Sequence, residues 1–82
     1  MDDINRLRNL SAISQILSQY RPGQYVELKG YRMRVHAVVH PDEYRSYGLV
    51  YLEAPKGKMP WLTHARVDEE GIHFEVPEGW LE

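Results

Sequence analysis

At Pro22-Gly23 the hydrophobic period of this chain changes once, from helical to alternating, and it does not change back. Upstream, Leu7, Leu10, Ile13, Ile16, Leu17 and Tyr20 gather on one broad side of a 3.6-residue period, with Ile4 near its edge. Downstream, apolar residues recur at every second position in short runs divided by Gly, Pro and acidic residues. That single switch predicts one N-terminal helix followed by strands. It excludes a helical bundle or coiled coil, because only residues 3–20 carry a helical period.

Asp2 or Asp3 is placed to cap the helix, since a carboxylate there accepts hydrogen bonds from the free amides of the first turn. Pro22 disfavours helical geometry at Arg21, and Gly23 releases the chain into a turn. A helix of about 17 residues is roughly 25 Å long. Its opposite side holds Asn5, Asn9, Ser11, Ser14, Gln15, Ser18 and Gln19, all neutral and polar. This reads first as a solvated face held by the packing beneath it. The other reading is a partner surface, where a fixed charge would be costly to desolvate.

Five strands are predicted, at residues 24–28, 32–40, 47–54, 61–68 and 72–76. Their connections are the tight "KGY" (29–31), the polar loop "HPDEYRS" (40–46), the turn "PKGK" (55–58) and "EEG" (69–71). Links this short give an antiparallel meander, because parallel pairing needs long crossovers. A meander with one apolar face must curl on itself or be covered by the helix. The stretch "PGQYVELKGYRMRV", a turn followed by two strands around "KG", resembles the opening of many small SH3-like domains. The expected fold is therefore α+β: an N-terminal helix packed on a five-stranded antiparallel meander, curled into a small SH3-like barrel. Gly30 and Gly48 suit its bends. The second arrangement is an open sheet with the helix flat on its inner face. The resemblance is one of shape and brings no functional residues with it.

Residues 1–82 make one domain with a small core. There is no cysteine, so disulfides, thiolate zinc sites and thiol nucleophiles are excluded. No apolar run approaches the roughly 18 residues that span a bilayer, and "MDDINRLRNL" has no apolar leader segment. The expected setting is cytoplasmic, away from membranes. The net charge of -2 hides an asymmetry: residues 1–40 carry six Lys/Arg against three acids, residues 41–82 four against nine. The total field offers a polyanion little long-range attraction.

Along the second strand, Met33, Val35, Ala37 and Val39 alternate with Arg32, Arg34, His36, Val38 and His40. His36 and His40 would share a side about 13 Å apart, too far to ligate one ion. Zinc would need His64 or His73 nearby with Glu75 as a third ligand. No metal or cofactor is expected. For acid–base chemistry the pairs are His64 with Asp68 and His73 with Glu75, or Asp42 and Glu43 in the loop. No serine has a glycine-flanked elbow, and a chain this small has little room for an enclosed pocket. A small enzyme using a histidine–acid pair is thus the third reading.

A nucleic-acid reading rests on Lys29, Arg32 and Arg34, with Tyr25 and Tyr31 as stacking surfaces and Arg21 and Arg45 nearby. Against it, Glu27 in the adjacent strand is placed to neutralise Arg32 or Arg34. The preferred reading is a non-catalytic binding or accessory domain acting on a protein partner. Its expected site is Tyr44, Tyr47, Met59 and Trp61, with Lys56 and Lys58 at the rim. These residues flank a strand about 25 Å long when extended, so they meet only if the chain curls. The competing idea is that Trp61 is core, its indole nitrogen bonded to a backbone carbonyl. Phe74, with Ile72 and Val76, is expected inside, and Trp80 is expected to fold back as a lid. A homodimer through the helix or a strand edge is compatible with so small a core.

Overall fold

The computed structural model describes residues 2–81. Helix α1 (Asp2–Leu17) leads into strands β1 (Tyr25–Leu28), β2 (Tyr31–Val39), β3 (Gly48–Glu53), β4 (Leu62–Asp68) and β5 (Gly71–His73), and a 3-10 turn follows at Glu78–Leu81. The strands form one antiparallel sheet in sequence order, β1-β2-β3-β4-β5. The sheet curls into a half-barrel with the helix packed on it. β1 and β5 are its two edges and do not pair with each other among the described residues.

The helix stops three residues earlier than its period suggests. Its end tightens into i→i+3 bonds, Gln19 N to Ile16 O at 3.1 Å and Tyr20 N to Leu17 O at 3.0 Å. The Ser18 hydroxyl donates to Gln15 O at 2.6 Å. Serine competes for backbone carbonyls in this way, which favours ends over interiors. The capping expected of Asp2 or Asp3 involves side chains outside the described ones.

Ile13 and Leu17 are fully buried and Leu10, Ile16 and Tyr20 half-buried, as the period requires. Ile4 and Leu7 are not: they stand 58% and 66% exposed. The helix lies over β3, β4 and β5 with its C-terminal half, and its first two turns overhang. The molecule is accordingly 47 Å long but only 23 by 21 Å across. The helix expected to cover the sheet along its whole apolar side thus covers it with only half. Gly48 makes the seat for it: a Cβ there would lie 2.6 Å from Leu17 Cδ1.

The second cover comes from the far end of the chain. Trp80 is 1% exposed, with ring centroids 5.3 Å from Tyr31 and 5.9 Å from Phe74. β5 is shorter than expected because the chain leaves the ladder after His73, and Pro77 has no amide with which to rejoin it. Phe74 still turns inward, and the core closes over Met33, Val35, Val50, Leu52, Ala65 and Val67.

β2 departs most from its apparent pattern. Val35 pairs with Leu52 but Ala37 with Tyr51, so His36 is an extra residue, a β-bulge. Before it Met33 and Val35 point inward. After it Val38, opposite buried Val50, takes the inward phase. The simple alternation therefore assigned Ala37, Val38 and Val39 to the wrong sides, and His36 and His40 do not share a face. An inserted residue bends its strand and adds twist, which is how this sheet acquires curl.

The turns follow their chemistry. Lys29 and Gly30 both have positive φ, 54° and 81°, giving a two-residue hairpin in which Tyr31 already pairs with Leu28. In the 40–47 loop Asp42 Oδ1 accepts from Tyr44 N at 2.8 Å and Arg45 N at 3.0 Å. The Arg45 guanidinium donates to Tyr47 O and His40 O. Asp42 and Arg45 are thereby engaged in building the loop.

Candidate binding surface

The outward side of β1, β2 and β3 carries a cluster of charged and aromatic side chains. In register across it stand Tyr25, Arg34 and Glu53. The bulge carries His36 toward the same carboxylate: Nδ1 donates to Glu53 Oε2 at 2.9 Å, while Arg34 reaches Oε1 at 3.4 Å. Hydrogen bonding from His36 is the main reason that the Glu53 carboxyl is held below its usual pKa. Partial desolvation opposes this, and the Arg34 charge adds to it. The His36 ring also meets Trp61 edge-on, with centroids 6.0 Å apart.

Beside this cluster is an open hollow lined by Tyr25, Arg32, Arg34, Glu53, Ala54, Pro55 and Lys56. The Arg32 guanidinium lies 4.7 Å over the Tyr25 ring. Glu27 faces Arg32 across the ladder, yet it forms no ion pair among the described residues. The acid that meets the arginine row is Glu53, on the other neighbouring strand. Sequence reasoning missed it, because pairing of β2 with β3 past a bulge cannot be counted from spacing.

Of the residues expected to form one partner site, Met59 and Trp61 are exposed by 65% and 56%. Tyr44 and Tyr47 are also on the surface, but at the other end of β3. Tyr47 precedes Gly48, whereas Trp61 O accepts from Ala54 N just beyond Glu53. The curl bends the sheet across its strands and does not fold β3 back along its length, so the four do not meet. Trp61 is not the core tryptophan. That arrangement, an indole nitrogen on a backbone carbonyl, belongs to Trp80, whose Nε1 donates to Pro60 O at 3.1 Å. Of the expected rim lysines, Lys58 donates to Trp80 O at 2.8 Å and Lys56 lines the hollow.

The nucleic-acid set is likewise divided. Tyr25, Arg32 and Arg34 share the hollow; Lys29 sits in the hairpin turn, and Tyr31 faces inward against Trp80. The histidine–acid pairs differ from those read in sequence. His73 Nε2 bonds Asp68 at 2.8 Å and His36 bonds Glu53, while His64 packs against the Tyr51 ring. Asp68 is held below its ordinary pKa first by His73, against some desolvation, and then by the Glu70 amide. Glu70 completes a grouping with Asp68 and His73 whose ligand-type atoms lie within 4.8 Å of one another. Arg66 stands 3.7 Å from Asp68 there, a competing cation.

No family model, curated protein or solved structure matches the chain. Among the described residues no helix is long and apolar enough to cross a membrane.

Proposed function

We propose that this is a non-catalytic binding domain that engages a protein partner through the tip formed by Met59 and Trp61 and the sheet face beside it. The observation that carries the reading is that the two tryptophans divide roles. Trp80 fills the core, so Trp61 is left out of it and stands more than half exposed beside an exposed methionine. The tip is well supported from beneath, because Pro60 and Lys58 are both hydrogen-bonded to Trp80. Tryptophan has few side-chain rotors to freeze on binding, and tryptophan and methionine bury apolar area without burying a charge. The reading takes the domain as cytoplasmic, the compartment that a chain without cysteine suits.

The test is a selection of displayed random peptides against the whole protein, with Trp61→Ala as counter-target. Trp61 touches little of the core, so the variant should fold with stability within about 0.5 kcal/mol of wild type. Peptides enriched on the wild type and lost on the variant support the reading. Enrichment that survives the change, or none at all, overturns it.

A further inference from the structure

Resting on the protein-binding reading above, we infer that the partner segment is acidic, with its carboxylates seated in the hollow of Tyr25, Arg32, Arg34 and Lys56 while an apolar side chain covers Trp61. Three observations combine. The hollow and the tip are one surface: Trp61 meets His36 edge-on, His36 bonds Glu53, and Glu53 lines the hollow. Three cations border the hollow against one acid, and that acid is already satisfied by His36 and Arg34. Arg32 is bound to no carboxylate among the described residues and is pre-oriented over the Tyr25 ring. A planar guanidinium held in this way suits a carboxylate, which it grips by two parallel hydrogen bonds.

The same details disfavour single-stranded nucleic acid. Arg32 occupies one face of Tyr25, Tyr31 is turned into the core, and Glu53 sits where a continuous phosphate track would pass. Separate carboxylates on a peptide can be spaced around Glu53; a charge on every nucleotide cannot.

The peptide selection also tests this. Wild-type-selected sequences should be rich in Asp and Glu next to an aromatic or aliphatic residue. One such synthetic peptide should bind about tenfold more weakly to Arg32→Gln/Arg34→Gln. A copy with its acids changed to Lys should lose binding. Trp61-dependent peptides without acidic bias would overturn the inference and leave the binding reading standing. Absence of any Trp61-dependent peptide would remove both. Tighter, arginine-dependent binding of a labelled oligothymidylate than of the acidic peptide would assign the hollow to nucleic acid instead.

Discussion

Trp80 and Pro60 are joined by a 3.1 Å hydrogen bond from indole nitrogen to carbonyl oxygen, and the carbonyl of Trp80 itself accepts from Lys58 Nζ. The bonds tie the C-terminal turn to the loop that presents Trp61. Trp80→Ala should destabilise by about 3–5 kcal/mol, since a fully buried indole leaves a cavity that the sheet cannot collapse to fill. Trp80→Phe keeps a ring and forfeits the bond to Pro60, a further loss of about 1 kcal/mol beyond the change in packing. Urea denaturation measures both. A Trp80→Ala midpoint near that of the wild type would mean that the tail is not a structural lid.

Two glycines separate backbone from side-chain crowding. A Cβ at Gly79 would lie 2.6 Å from the Met59 carbonyl oxygen, and one at Gly48 the same distance from a Leu17 methyl. The Gly48 clash extends over the Leu17 branch, with Cδ2 at 3.2 Å and Cγ at 3.3 Å, but it falls on a side chain; the Gly79 clash falls on a backbone carbonyl of the loop that Trp80 holds. Gly79→Ala should therefore cost about 1–3 kcal/mol and Gly48→Ala less, judged by thermal melts of the two variants side by side. The reverse order would show that the tail gives way more easily than the helix.

Along α1, the two ends should respond differently to the same chemistry. Ile13→Ala should cost about 2–4 kcal/mol, because Ile13 is 1% exposed beneath the helix. Leu7→Ala should change stability by no more than about 0.5 kcal/mol. Equal losses in chemical denaturation would place Leu7 in a buried contact in solution.

That contrast shows what the sequence could and could not tell. The apolar period gives the side of α1 that meets the sheet, from Leu10 to Tyr20, but it says nothing of where the sheet ends. Ile4 and Leu7 fit the stripe and stand more than half exposed. The strands and their order were legible because each turn carried its own chemistry, Lys29-Gly30 above all. The Glu53 cluster was not. It depends on the pairing of β2 with β3, and one unpaired residue there changes which side chains meet. Trp61 and Trp80 were both visible as candidates for core or surface. Only the packing of Phe74 and Tyr31 around Trp80 separated them.

Acid should weaken the fold in a defined window. Glu53 and Asp68 have folded pKa values below their unfolded ones. The stability each adds is fully present above the unfolded pKa and is lost as pH falls through the folded one. The melting temperature should hold from neutrality to about pH 5 and drop as pH falls through about 4 and below. Glu53→Gln/Asp68→Asn should show a shallower acid limb, with the histidines still present. Superimposable acid limbs would mean that neither pair matters to stability.

The bulge at His36 has a bearing on how this chain tolerates editing. Exchanging His36 for another residue removes the Glu53 and Trp61 contacts but leaves the number of residues between Val35 and Val38 unchanged, so the inward phase of Val38 survives. Deleting the same residue brings Ala37 into step behind Val35 and leaves Val38 opposite Val50 in its inward phase, but it removes the bulge and with it the added bend and twist. The curvature of the half-barrel is thus stored in a residue count, and a scan by substitution would pass over it at every position. Deletion of His36 would find it, as a chain that keeps Val35 and Val38 inward but melts lower than any His36 substitution because the bend is gone.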